Sequence, residues 1–212
     1  MTPDQLIDKL KHSLNGPLPG AKAHSLMAPT GRIINYELIP DKQYYRDSAV
    51  SIILYPLGDS YKCVMIKRPE YDGAHSGQMS FPGGKKDEKD RDLMETAFRE
   101  TYEEVGVLLD EKHLIGSLSE VFIPVSKFKV QPFLFHLPEI PAFIPDSREV
   151  DEIFHFDFEL LLTDASLGIS DIHHKGNILM KEVPCFYFHE RMIWGASALM
   201  LSELKMLLLD QK

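Results

Sequence analysis

Cysteine is nearly absent from this 212-residue chain: Cys63 and Cys185 are the only two. So small a number excludes a disulfide framework, and the two stand far apart with no zinc-ligand spacing. Both sit in strand-like runs, so buried free thiols in a reducing cytoplasm are expected. No stretch approaches the roughly 18 consecutive apolar residues of a membrane-spanning helix. The first fourteen residues hold neither the uncharged apolar run nor the small-residue cleavage site of a signal peptide. Positive charge is scarce as well, with 23 Lys and Arg against 32 Asp and Glu and a net charge of −9. That balance argues against sequence-independent nucleic-acid binding, which needs basic surface. It leaves a phosphorylated ligand admissible, because metal ions supply positive charge locally. Tryptophan occurs once, as Trp194, and core packing before the last helix is its expected role. Internal repeats and low-complexity tracts are missing too.

What is present suits a globular domain with a real core: 44% hydrophobic and 26% charged residues. The chain opens on a helix pattern, with Thr2 as cap, Pro3 at the first helical position and Leu6, Leu10 and Leu14 forming an apolar stripe. A Pro- and Gly-rich arm over 16–32 separates that helix from the body. Strands are expected over Ser48–Tyr55, Lys62–Arg68, Leu114–Val121, Val130–Leu137 and Val150–Phe156. Asn177–Val183 and Cys185–His189 suggest a hairpin or paired strands despite Pro184. Three prolines forbid regular helix over Pro138–Pro145. A short helix is expected over Phe158–Thr163, and an amphipathic helix over Trp194–Leu209 closes the chain.

The informative stretch is Gly77–Val107. It places Phe81-Pro82-Gly83-Gly84 ahead of a helix ending in Arg99-Glu100, Glu103-Glu104 and Gly106. A helix turns about 100° per residue, so Glu100, Glu103 and Glu104 share one face. Three carboxylates at this spacing repel one another, and the helix C-terminus disfavours anions. A divalent cation with oxygen ligands removes the difficulty. An acidic helix face alone is ordinarily a solvated surface, but the preceding glycine turn lets backbone approach a ligand closely. Asp87 or Asp90 is suited to cap the helix, and Gly106 to end it in a left-handed residue.

These residues resemble the Nudix hydrolase family, whose box reads G-x5-E-x7-R-E-U-x-E-E-x-G-U with U a bulky apolar residue. Arg99, Glu100, Glu103, Glu104, Gly106 and Val107 match, and Thr101 stands at the first U. Counted from Gly84, Arg99 comes one residue late and Asp90 replaces the early Glu, which is similar to the branch that hydrolyses coenzyme A. His75-x-Gly77-Gln78-x-Ser80-Phe81-Pro82-Gly83-Gly84, Phe128-x-Val130-x-Pro132-Phe133, Glu149-Val150-x-x-Ile153-Phe154 and Ile193-Trp194-Gly195-Ala196 resemble the same branch. Where that branch carries a second arginine in its lead-in, this chain has Gly73, with Lys67 or Lys85 as candidate substitutes.

The resemblance implies an α/β fold, a Nudix-type α/β/α sandwich with a mixed β-sheet. It covers Tyr45 to Leu209, so a helix and arm over 1–44 are expected to pack on a Nudix hydrolase domain over 45–212. It implies Mg²⁺ or Mn²⁺ on Glu100, Glu103, Glu104 and the Gly84 carbonyl. It makes Arg99 an orienter, Glu103 an assistant in catalysis, and Glu149 a general base from a late loop. Arg68, Gln78, Phe81 and Gly83 are expected to meet a small nucleotide substrate. The implied reaction is cleavage of a pyrophosphate bond in coenzyme A or acyl-coenzyme A. ADP-ribose or NADH hydrolysis, or a ligand-sensing module without catalysis, stand as alternatives. The expected setting is cytoplasmic, without nucleic-acid or membrane partners, and the arm and final helix are compatible with a homodimer.

Overall fold

Side chains alternate between the two faces of a strand, and in this protein both faces are apolar. A computed structural model describes residues 3–29, 34, 36–39, 41–72, 75–174 and 177–209. Their order is α1 (Pro3–Leu14), α2 (Ala21–Ser25), β1 (Arg46–Leu57), β2 (Ser60–Lys67), β3 (Met79–Ser80), β4 (Gly83–Lys85) and α3 (Leu93–Val105). Then come β5 (Leu114–Ser117), β6 (Val121–Ile123), β7 (Phe128–His136), β8 (Glu152–Asp157), β9 (Leu167–His174), β10 (Asn177–Phe188), β11 (Arg191–Ile193) and α4 (Gly195–Leu209).

β1 is the central strand. It pairs antiparallel with β2 and β4 and parallel with β7. β8 and β3 add to β2, while β5 and β6 pair with β7. Ile52, Leu54, Cys63 and Met65 enter one core with Leu6 and Leu10 of α1 and Leu201 and Leu204 of α4. Their neighbours Ile53, Tyr55, Val64 and Ile66 enter the other, with Ala97 and Val105 of α3. Helices therefore cover both faces of a mixed sheet, which is the expected α/β/α sandwich. Both cysteines are buried and free. Among the described residues no helix is long and apolar enough to cross a membrane.

Four expectations needed correction. The single strand over Leu114–Val121 is two, β5 and β6, each on its own stretch of β7. The stretches around Pro184 form one strand, β10, because register shifts and a positive φ at Glu182 absorb the irregularity beside a residue with no N–H. Its partner β9 was not anticipated; with β11 it makes a second, three-stranded sheet. Finally, α4 is not amphipathic: Ser197, Leu199, Leu201, Leu204 and Leu208 are all buried. Packing by α1, α2 and the second sheet covers it on several sides. Thr2, the expected cap of α1, lies outside the described residues.

Candidate functional site

Two glycines bring the sheet against the end of α3. Gly83 has a φ of 151°, and a Cβ there would lie 2.2 Å from the Ala49 carbonyl oxygen. Its N–H donates to Glu104 Oε2 at 2.7 Å. At Gly84 a Cβ would lie 2.2 Å from Glu100 Oε2. Glycine at 83 lets the turn lie against β1, and glycine at 84 leaves the space that the Glu100 carboxylate occupies. Pairing of Val50 with Gly83 and Ala49 with Gly84 anchors the turn to the central strand.

Neither Asp87 nor Asp90 caps α3. Asp92 does, accepting from the Glu95 N–H at 2.9 Å. Gly106 ends the helix with φ 72° and donates to Tyr102 O, as expected. Asp90 is buried and holds Arg99 by both nitrogens of a fork, Nε to Oδ1 and Nη2 to Oδ2, each at 2.9 Å. Thr96 Oγ1 and the Asp87 N–H also donate to it. The Arg99 guanidinium holds the Asp90 carboxyl well below the usual carboxylate range. The remaining Arg99 donors reach Glu100 Oε1 at 2.7 Å, Glu103 Oε2 at 2.9 Å and the Lys85 carbonyl at 3.1 Å. Arginine thus uses its planar fork to orient two carboxylates of the helix.

Glu104 lies deepest, 1% exposed. Its Oε1 is buried with no hydrogen-bond donor, and Arg68 Nη1 stops 3.8 Å away, too far for a hydrogen bond. Burial pushes its pKa up to about 8, and the charges of Glu100 and Glu149 add to this. Burial also raises Glu100. Glu103 is half-exposed on Arg99. Glu149 is exposed, yet it is close enough to raise both buried neighbours. The reason is local. The Ile144 and Asp146 N–H groups donate to the Val105 and Glu104 carbonyls at 2.8 and 3.0 Å. The proline-rich loop so satisfies the open end of α3 and carries Glu149 toward the acidic face.

This arrangement fits a hard divalent cation. A buried carboxylate oxygen that no donor reaches is costly, the Arg68 charge at 3.8 Å does not outweigh its burial, and the glycine turn leaves the space beside Glu100 free of side chain. Glu100 and Glu104 have the matching oxygen chemistry. Among the described residues no three His, Cys, Asp or Glu side chains converge on one point. Arg99 holds Glu100 and Glu103, and Glu104 turns to Gly83.

A cavity of about 800 Å³ opens beside the turn. Arg68, Gln78, Phe81, Gly83, Gly84 and Glu100 all line it. Phe81 is a core side chain that also belongs to the wall. Gly83 has its N–H committed to Glu104, and Gln78 Oε1 lies 3.1 Å from His75 Nδ1. His75 lines the cavity with a positive φ of 68° and reaches Ser126 Oγ at 3.2 Å. Gly73 lies outside the described residues. Of its candidate substitutes, Lys85 lines the cavity, whereas Lys67 is held by Asp151 at 2.6 Å. Trp194 lines the cavity too. His173 and His174 lie on β9.

Sequence reasoning missed Arg46, a third cation of the cavity beside Arg68 and Lys85, and the arm residues Met27, Ile34 and Tyr36. No local signal marks them, since the arm reads as loop. It also missed Glu203, whose lone carboxylate in an apolar helix was a readable signal.

A family model described as NUDIX domain matches residues 45–173. Mitochondrial coenzyme A diphosphatase NUDT8 of Homo sapiens is 37% identical over 135 residues, 63% of this chain and 56% of its own length. The match therefore spans less than two thirds of that protein. A Yersinia enterocolitica protein named Nudix hydrolase NudL is 30% identical over 141 residues, covering 66% of this chain and 71% of its own. Among solved structures, a MutT/nudix family protein from Enterococcus faecalis shares the fold with a TM-score of 0.54 at 15% identity. That likeness covers 78% of this chain and 62% of the other.

Proposed function

The chain belongs to the Nudix family, and on that premise we propose that it hydrolyses the pyrophosphate bond of coenzyme A or an acyl-coenzyme A, giving 3′,5′-ADP and the 4′-phosphopantetheine product. The observation that carries this is the buried Glu104 Oε1, which no hydrogen-bond donor reaches, beside Glu100 and a glycine turn that both line a large cavity. Glu100, Glu104 and the Gly84 carbonyl would hold Mg²⁺ or Mn²⁺, with Glu103 joining when Arg99 releases it. Such an ion neutralises phosphate charge and makes water a stronger acid.

The chain's own residues supply the rest. Arg99, fixed by Asp90, orients Glu100 and Glu103. Arg68, Lys85 and Arg46 give the cavity positive charge for phosphate groups. Gln78 and Phe81 shape its wall. Glu149 accepts the proton of the attacking water, as an exposed carboxylate beside the acidic face. The spacing of the box, Asp90 and the relative named a coenzyme A diphosphatase support the substrate assignment. The helix and arm over 1–44 are proposed to complete the domain over 45–212. The cytoplasm is the proposed compartment, on the strength of two free buried thiols, and imaging of the tagged chain checks it.

A panel of coenzyme A, octanoyl-coenzyme A, ADP-ribose and NADH with Mg²⁺ or Mn²⁺ tests the substrate. The highest kcat/KM is expected for a coenzyme A substrate. Preference for ADP-ribose or NADH by tenfold or more removes that assignment and keeps the hydrolase. Binding without turnover of any of them supports the sensing module instead.

A further inference from the structure

Glu203 is a carboxylate in the middle of a helix that is otherwise almost wholly apolar, and it is 0% exposed. Every hydrogen-bonding direction is answered. Oε1 accepts from the Gly20 N–H at 3.0 Å and from Ser119 Oγ at 2.6 Å. Oε2 accepts from the Ser119 N–H at 3.1 Å and lies 3.1 Å from His24 Nε2. His24 is equally buried, and its Nδ1 lies 2.6 Å from the Tyr36 hydroxyl. One tautomer satisfies this chain: Tyr36 O–H donates to Nδ1, and Nε2–H donates to Glu203. Beside it, Ser202 Oγ donates to the Ala23 carbonyl at 2.7 Å.

Replacing such a buried polar cluster with apolar side chains is often neutral or stabilising, so net stability is a poor reason for it. What it does deliver is position. Tyr36 sits between the His24 ring and Phe122, and with Met27, Ile34 and Phe122 it lines the cavity that Glu100 and Gly84 also line. The arm precedes the stretch matched by the family model, and Glu203 follows it. The arm thus adds an apolar share, from outside the matched stretch, to a wall that Phe81, Phe122 and Phe128 build from within it, and Glu203 ties that arm down.

We propose that Glu203 is a positioning residue for substrate selection: through His24 and Tyr36 it fixes the arm as the apolar wall that receives an apolar tail on the substituent beyond the diphosphate. The ligand class is a nucleoside diphosphate derivative ending in an acyl chain. This rests on the proposed hydrolase function and deepens it.

The test compares octanoyl-coenzyme A with ADP-ribose, which carries the diphosphate but no apolar tail. In Glu203→Gln, KM for octanoyl-coenzyme A is expected to rise about tenfold, the effect of one lost charged hydrogen bond. KM for ADP-ribose and kcat for both are expected to stay within about twofold. His24→Gln can donate to Glu203 and accept from Tyr36, and it is expected to keep most of the discrimination. If Glu203→Gln does not fold, Tyr36→Phe removes the other end of the relay and is read as the ratio of the two KM values. Emission of Trp194, the single tryptophan and a cavity residue, gives a second readout. Titration with octanoyl-coenzyme A in chelator should show weaker binding to Glu203→Gln than to the unmodified protein. A folded Glu203→Gln protein with unchanged discrimination, or with both KM values rising together, overturns the proposal. If neither coenzyme A substrate is turned over, the proposed function fails while the titration still decides. Weaker binding to the variant upholds the wall, and no binding to either protein removes it.

Discussion

Glu104 and Glu203 are the same side chain on two helices, both withdrawn from water, yet their surroundings are opposite. Glu203 has a donor for each lone-pair direction, and burial, which alone would raise its pKa, is outweighed by hydrogen bonds from His24 and Ser119, so the carboxyl stays below its ordinary value. Glu104 has one backbone donor, an empty-handed Oε1 and a pKa pushed up to about 8, chiefly by burial. Burial by itself therefore does not identify a working carboxylate. Incomplete pairing is what sets the proposed metal ligand apart, because an unanswered buried acceptor costs roughly 1–3 kcal/mol. Glu203 is a clasp between helix and arm, whereas Glu104 keeps an oxygen that no donor reaches.

The largest effect that sharpens this contrast is metal removal. A chelator should abolish hydrolysis and Mg²⁺ or Mn²⁺ should restore it; full activity in metal-depleted protein would end the assignment. Next comes Glu104→Gln, expected to lower kcat about 10³-fold, in the range seen when one preorganised electrostatic group is lost. Its melting temperature in chelator should be unchanged or higher, because a buried carboxyl whose charged form is disfavoured gives way to a neutral isostere. Glu203→Ala should invert that pattern. It leaves His24 and the Ser119 and Gly20 donors unanswered and should cost about 3 kcal/mol of stability in denaturant titration. Equal stability losses for the two variants would erase the distinction.

A smaller effect is expected at Asp90. Asp90→Asn keeps the shape but weakens the fork that aims Arg99, so kcat should fall about tenfold, as for losses in the shell supporting metal ligands. Steady-state kinetics at saturating metal check it. Smallest is a pH effect on Glu203. A depressed carboxyl contributes stability that is fully present above the unfolded value of about 4.3 and is lost as pH falls through the folded value. Below about pH 4.3 the unmodified protein should therefore lose melting temperature more steeply than Glu203→Gln. Parallel curves for the two proteins would show that Glu203 is not the group responsible.

Much of the fold was legible because it rests on local periodicity. The central strands, the helix between Asp92 and Gly106, the irregular proline-rich loop and the short turn at Phe158 all follow from residues close in the chain. Long-range pairing was not legible. Nothing in Leu167–His174 announces a strand until β10 lies beside it. The final helix looks amphipathic until a second sheet and α2 cover its other sides.

By itself, the sequence determined the acidic helix face, the glycines that make room for it and the family to which the chain belongs. Those depend on spacing within a few turns of backbone, where geometry is set by covalent structure and hydrogen-bond period. Only the tertiary structure decided which carboxylate is starved of donors and which is saturated. Only it decided that Asp90 grips Arg99 rather than capping α3, and that the arm walls the cavity. Hydrogen-bond satisfaction and desolvation are properties of a surrounding volume, and the groups that fill it around Glu203 come from residues more than 80 positions away.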